Sequence, residues 1–148
     1  MRKTIRVICP CVSAGPVSAT LAIFLHSDAY DRLHQGLSIA AAGAALGRPV
    51  EVYFFWWALE RLLTDRLDEP DFPEREDVTN RFEARGLPTL RSLLQHLRNS
   101  PQVSLVACTG SMAALGLTPA QAEGRVDTLL GWSSILARTA GVTDRFYL

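Results

Sequence analysis

The sequence predicts an α/β domain in which helices cover both faces of a small parallel sheet, giving three layers. Two apolar runs rich in β-forming residues, Thr20–His26 and Val50–Phe55, are typical of buried strands. Between them, Tyr30–Leu46 is rich in Ala and Leu and is followed by Gly47 and Pro49, which predicts a helix with its stop signal. The strand, helix and strand form a βαβ unit, and further alternation along the chain favours a parallel sheet.

Length and charge restrict the class of protein. The 148 residues suit one domain, which we place at 20–148 behind an N-terminal extension at 1–19. Fifteen basic residues balance fifteen acidic ones, so neither nucleic acid nor an anionic membrane is an expected partner. The first residues lack the apolar core of a signal peptide, and no apolar run is long enough to span a membrane. We therefore expect a cytoplasmic protein with reduced thiols.

In the first half of the chain, polar residues follow the first apolar run and a charged segment follows the second. Ser27 or Asp28 is the expected cap of the first helix. Residues 64–86 are dense in charge and carry two prolines, so we expect a solvated excursion with a short helix near Thr79–Ala84. A plain surface loop is favoured there over a mobile lid.

The second half continues the alternation of helices and strands. Pro88–Asn99 has leucines at helical spacing, and Val103–Ala107 follows as a strand that Cys108 ends. The remaining predicted elements are a short helix at Met112–Leu115, a helical turn beginning at Pro119, a strand at Val126–Leu130, a helix at Trp132–Thr139 and an edge strand at Phe146–Leu148.

The end of the third strand is the best candidate for chemistry. In doubly wound sheets, ligands bind beyond the carboxyl ends of the strands, where the order of winding reverses. If the strand order is 2-1-3, His26 and Cys108 end neighbouring strands and share one mouth. A helix start directly after Cys108 favours the thiolate, the form that attacks sulfur. The alternative is that Cys108 is a small buried hydrophobe, and solvent exposure distinguishes the two.

Other candidate residues have simpler explanations. His26 is more often a satisfied polar group than a proton carrier for the thiol. Cys9 and Cys11 lack the partners of a zinc site, so we interpret them as reduced thiols, and we expect no metal. Trp56 and Trp57 form a site wall or subunit contact, or pack against the core, and packing is modestly favoured. No phosphate-binding glycine motif is present, so no nucleotide cofactor is expected.

Three segments together resemble the DsrE/DsrF-like proteins. They are LAIFLHSDAYDRLHQGLSIAAAGAALGRPVEVYFFWWAL, LVACTGSMAALGL and GRVDTLLGWSSIL, and they cover most of residues 20–141. The most specific is the strand that ends in Ala-Cys, followed by a small-residue turn and an apolar helix. The cysteine extension at the N-terminus and the length of residues 64–86 depart from the family's usual pattern.

The resemblance implies a flavodoxin-like fold, assembly into homo-oligomers and a function in sulfur relay. Cys108 occupies the place of the family's sulfur-accepting cysteine, and donor and acceptor proteins would be its partners. The residues that would support a persulfide there are His26, Ser27, Asp28, Thr109, Gly110 and Ser111. The alternative is a non-catalytic oligomeric module that binds a small molecule or a protein segment at the strand ends.

Overall fold

The computed structural model describes residues 19–72 and 77–148, with side chains from 80 onward in the second range. Cys9, Cys11 and nearly all of the predicted extension lie outside the described residues. The first half comprises β1 (Leu21–Leu25), α1 (Tyr30–Ala45), β2 (Val50–Phe54), α2 (Trp56–Leu63), α3 (Asp77–Ala84) and α4 (Leu90–Arg98). The second half comprises β3 (Val103–Cys108), α5 (Thr109–Leu115), α6 (Pro119–Ala122), β4 (Thr128–Leu130), α7 (Trp132–Arg138) and β5 (Asp144–Tyr147).

The strands form one parallel sheet with the order β4-β3-β2-β1-β5. The predicted three-layer flavodoxin-like class is confirmed, since helices lie on both faces. The order 2-1-3 is wrong, because β2 pairs with both β1 and β3 and separates them. Winding runs from β1 to β4 and then returns to place β5 beside β1, so the order reverses between β1 and β5.

The two faces of the sheet carry very different amounts of helix. The first apolar cluster combines one face of the strands with residues from α1 through α6. The second cluster combines the opposite face with Ile135 of α7. Its other residues lie on the strands or, for Phe55, directly after β2: Ala22, Phe24, Tyr53, Phe55, Val106 and Cys108. In the described part of the chain, six helices therefore pack on the first cluster and a single helix of seven residues on the second.

Local sequence accounts for several helix boundaries. Thr89 caps α4, accepting a hydrogen bond from the Ser92 N–H, and the buried face of this helix is its predicted leucine stripe. Thr118 and Gln121 form a capping box around the short α6. Gly116 ends α5 in the left-handed conformation, with φ of 67°.

Most of residues 64–72 are exposed, as expected of a solvated excursion, but the segment is also anchored to the domain. Leu67 is buried, and Arg61 donates hydrogen bonds to the carbonyls of Arg66, Leu67 and Glu69. The segment is thus attached to the domain by a buried cation. The predicted helix near 79–84 is confirmed and begins two residues earlier, at Asp77.

Candidate functional site

The carboxyl edge of the sheet collects every predicted site residue in the part of the chain that is described. His26, Ser27 and Asp28 follow β1, while Thr109, Gly110 and Ser111 follow Cys108 at the end of β3. The same edge carries Trp56 and Trp57 after β2 and Trp132 after β4. Parallel strands end on one side of a sheet, which explains why residues so distant in sequence share this edge.

Cys108 lies inside the second apolar cluster. Only 1% of its surface is exposed, and its neighbours in the cluster are aromatic and aliphatic side chains of β1, β2 and α7. A thiol so enclosed by apolar groups is out of reach of a second sulfur compound, and buried cysteines are commonly inert. In this conformation the structure favours the buried-hydrophobe interpretation of Cys108.

His26 and Cys108 do not end neighbouring strands. One strand, β2, lies between them, so their strands are separated by two strand spacings, roughly 9.6 Å. The imidazole stacks on Phe55, with ring centroids 4.7 Å apart, and Phe55 belongs to the cluster that encloses Cys108. Proton transfer from His26 to the Cys108 sulfur is therefore not supported by their placement.

An aromatic stack crosses the carboxyl end of β2. The Phe55 ring contacts His26 and also Trp132, whose ring centroid is likewise 4.7 Å away. Partial burial lowers the pKa of His26 below its ordinary value, because desolvation penalises the imidazolium, and a hydrogen bond with the Phe24 backbone offsets part of this shift. The neutral imidazole is therefore favoured in this apolar setting.

Trp56, the first residue of α2, lies in a strained turn directly after β2. Its φ is 43°, a left-handed conformation that is a genuine outlier for a bulky residue. Backbone hydrogen bonds on both sides hold the turn: the Phe55 N–H donates to the Leu25 carbonyl, and the Ala58 N–H donates to the His26 carbonyl. Strain of this kind costs about 1–3 kcal/mol and persists where surrounding contacts enforce it, often at binding sites.

The side chains of Trp56 and Trp57 are 46% and 51% exposed. Core packing was the favoured prediction for this pair and is wrong for both rings. Their centroids lie 6.3 Å apart, so they present one aromatic surface. Trp132 adds a half-exposed ring at the same edge.

The residues after β1 and β3 that were predicted to support a persulfide make few contacts of the kind that a ligand site would require. Thr109 and Gly110 are exposed at the start of α5, whereas Ser111 is buried. The Ser27 hydroxyl accepts a hydrogen bond from the Ala29 N–H. Neither Ser27 nor Asp28 caps α1, so that prediction is wrong.

Asp71 caps α1 instead. Its two carboxylate oxygens accept from the Tyr30 N–H at 3.0 and 2.9 Å, and Oδ1 also pairs with the buried Arg61 guanidinium at 2.7 Å. Arg61 further donates to the Asp28 carbonyl, so one cation connects β1, α2 and the 64–72 segment. The sequence signal that could have revealed this ion pair was an arginine, Arg61, inside the apolar run WWALERLL. Sequence reasoning missed the pair because no local pattern connects Arg61 with Asp71.

Two cavities are lined by residues other than Cys108 and the rings of the aromatic stack. One of about 230 Å³ is lined by Asp28, Arg61, Asp71 and Phe72, among others. Another of about 400 Å³ lies between the end of α4 and the loop before β4 and is lined mainly by polar side chains.

Among the described residues no group of three His, Cys, Asp or Glu side chains is placed to hold a metal ion. None of the described helices is long and apolar enough to cross a membrane.

Comparison with known proteins supports the fold. No family model matches the chain, and no curated protein matches its sequence significantly. A solved structure, that of MTH1491, a protein of unknown function from Methanobacterium thermoautotrophicum, is similar with a TM-score of 0.51 and 14% identity. The match covers 88% of this chain and 98% of MTH1491. At this identity the likeness shows the shared fold alone.

Proposed function

We propose that the protein is a binding module that recognises its partner through the carboxyl edge of the sheet. The observation that carries this proposal is the exposed pair Trp56 and Trp57, with Trp56 on strained backbone at the end of the central strand. Large exposed aromatic surfaces are typical of binding sites, because burying them on contact is favourable. The edge is also where open parallel sheets hold their ligands.

The strain at Trp56 supports a functional role for this turn. A glycine would adopt a φ of 43° without penalty, and a half-exposed tryptophan recovers little by burial in the free protein. A strained turn that displays a large aromatic ring is accounted for if the ring contacts a partner. The strain then lowers the folding stability, while it holds the Trp56 ring in a fixed orientation at the carboxyl edge of the sheet.

Sulfur relay on Cys108 is the second candidate function, favoured by the place of Cys108 at the end of β3, directly before α5. The Cys108 thiolate would attack the outer sulfur of a donor persulfide, forming Cys108–S–SH while the donor leaves as a thiolate. An acceptor thiolate would then take the outer sulfur in the same way and release the Cys108 thiolate. This cycle requires the second cluster to open, because the sulfur is enclosed.

Alkylation of the native protein separates the two candidates. We expect Cys108 to remain protected from iodoacetamide in the native protein and to be labelled once urea unfolds the chain. A persulfide donor, which would add about 32 Da per sulfur, should leave Cys108 unmodified. Cys108→Ala is the control for peptide assignment. Rapid native labelling of Cys108, or a sulfur adduct at that residue, would instead favour relay.

A second experiment tests the tryptophan edge directly. The probe is 8-anilinonaphthalene-1-sulfonate, an aromatic dye that fluoresces on apolar protein surfaces. We expect the double variant Trp56→Ala, Trp57→Ala to lower the bound-dye signal severalfold, while Leu46→Ala, at an exposed leucine between the end of α1 and the start of β2, leaves it unchanged. Equal dye binding by the two variants would contradict the proposal.

A further inference from the structure

Two neighbouring cavities lie along α4, toward the amino ends of the strands. The larger, of about 400 Å³, lies between the end of α4 and the loop before β4, and the other, of about 270 Å³, lies between α4 and the end of α2. Gln95, Arg98 and Arg125 line both cavities, so we treat the two as one site, the α4 groove. Its size suits a small molecule. None of the residues that line it belongs to the carboxyl edge of the sheet.

One side of the groove is a stripe of polar side chains on α4. Arg91, Gln95 and Arg98 are spaced by four and three residues, so they lie on one face of the helix, and Asn99 follows them. Arg98 is exposed and makes no hydrogen bond or ion pair with the described residues, and the same is true of the Gln95 and Asn99 side-chain amides. The guanidinium therefore offers a ligand five N–H donors, and each amide offers two.

Arg125, on the other side of the groove, is held in place by the end of α2. Its Nη1 donates to the Leu62 carbonyl at 3.1 Å and lies 3.6 Å from the Asp65 carboxylate. Its Nε and Nη2 have no partner in the part of the chain that the structure describes. A guanidinium that is already fixed loses less conformational freedom when it binds a ligand.

The charge of the groove favours an anion. Three guanidinium groups and two carboxylates line it, a net charge of +1. Both carboxylates are engaged, since Asp65 pairs with Arg91 at 2.8 Å and Asp127 accepts a hydrogen bond from the Leu105 N–H at 2.7 Å. The charge of Arg98 is the one that no described carboxylate balances.

We propose that the α4 groove binds a small phosphate monoester that carries an apolar body. One guanidinium fork satisfies both oxygens of a carboxylate, whereas two guanidinium groups and two amides match the three oxygens and double charge of a phosphate. The phosphate would lie between Arg98 and Arg125. The apolar body would lie over the smaller cavity, which is lined in part by three leucines: Leu62, Leu67 and Leu94. This site goes beyond the binding edge proposed above, because it uses none of the tryptophans.

The ligand class is tested by calorimetric titration of the full chain with phenyl phosphate, inorganic phosphate and benzoate at low ionic strength. We expect phenyl phosphate to bind with a Kd of about 0.1 mM and inorganic phosphate about tenfold more weakly, because it lacks the apolar body. Benzoate should bind more weakly than phenyl phosphate, because it carries one charge and two oxygens. Absence of binding by phenyl phosphate at 10 mM, roughly a hundred times that Kd, would overturn the proposal. Benzoate binding as tight as that of phenyl phosphate would overturn the assignment of a phosphate.

Variants then locate the site. Arg98→Gln removes a charge that supports no contact in the described fold, and it should weaken phenyl phosphate binding about tenfold or more. Arg32→Gln is the matched control, since Arg32 is also exposed, its side chain has no partner among the described residues, and it lies in the first turn of α1. Equal binding by the two variants would refute the site.

Amide chemical shifts give a second readout that does not depend on a substitution. Phenyl phosphate should shift the amide signals of residues 95–99 and 124–127 and leave those of 56 and 57 unchanged. The double variant Trp56→Ala, Trp57→Ala should bind phenyl phosphate as wild type does. Shifts confined to the carboxyl edge, or loss of binding in the double variant, would show that the anion binds elsewhere. Failure of this site would therefore leave the proposed binding edge untouched.

Discussion

Replacing Arg61 tests whether one buried cation holds the 64–72 segment to the sheet. Arg61 is 5% exposed, and its five N–H donors are all used: one meets Asp71, and four meet backbone carbonyls of Asp28, Arg66, Leu67 and Glu69. We choose Arg61→Met because methionine keeps the length and apolar stem of the side chain but removes every donor.

The expected loss follows from what the substitution leaves behind. The Asp71 carboxylate, with 14% of its side chain exposed, would lose its buried counter-ion while still capping α1. Breaking one side of a buried ion pair costs about 3–5 kcal/mol, against about 1 kcal/mol or less for an exposed pair. In a domain of this size that corresponds to a fall in Tm of roughly 6–20 °C.

The assay is urea and thermal unfolding followed by circular dichroism, with Arg66→Met as the matched control. Arg66 also pairs with a carboxylate, that of Glu69 at 2.9 Å, but both side chains are about half exposed. We further expect amide exchange in residues 64–72 to accelerate in Arg61→Met alone. If the two variants lose the same stability, the argument that Arg61 organises this segment is wrong.

Three further predictions concern the carboxyl edge and the first face. Because the folded-state pKa of His26 lies below 6.5, the unfolded chain binds the proton at a higher pH than the folded chain does. The free energy of unfolding should therefore fall as the pH drops from about 7 to 5. In urea titrations across this range, His26→Phe should make the free energy of unfolding less dependent on pH. Trp56→Gly should be about 1 kcal/mol more stable to urea than Trp56→Ala, since only glycine relieves the positive φ; equal midpoints would contradict the strain. Gly43→Ala should lose about 1–3 kcal/mol despite alanine's helix propensity, because its Cβ would lie 2.7 Å from Leu21 Cδ2, and an unchanged Tm would refute this packing.

Local patterns predicted most of the regular structure. The leucine spacing of 90–97 and the β-rich runs at 20–26 and 50–55 depend on neighbours in sequence, so they specify α4, β1 and β2 without knowledge of the rest. The same holds for the end of β3 at Cys108 and for the helix at 132–138. Strand order depends on contacts between distant segments and leaves no such local signal. The expected order 2-1-3 therefore had no support in neighbouring residues, and it is wrong.

The candidate site, too, was predicted from the sequence only in part. Sequence placed His26, Cys108 and Trp56 after strands, and parallel pairing does bring all three to one edge. Sequence could not tell which way each side chain turns. The pleat and the crossing of α7 enclose the Cys108 sulfur, while the strained turn exposes Trp56.

The sequence by itself determined the α/β class and the position of each candidate residue at a strand end, because these follow from periodicity and from the chemistry of adjacent residues. Only the tertiary structure decided that β2 separates His26 from Cys108, that Asp71 caps α1 through Arg61, and that one short helix covers the second face. Each of these depends on contacts between residues far apart in the chain. Such contacts are selected by the packing of the whole domain, and no local pattern encodes them.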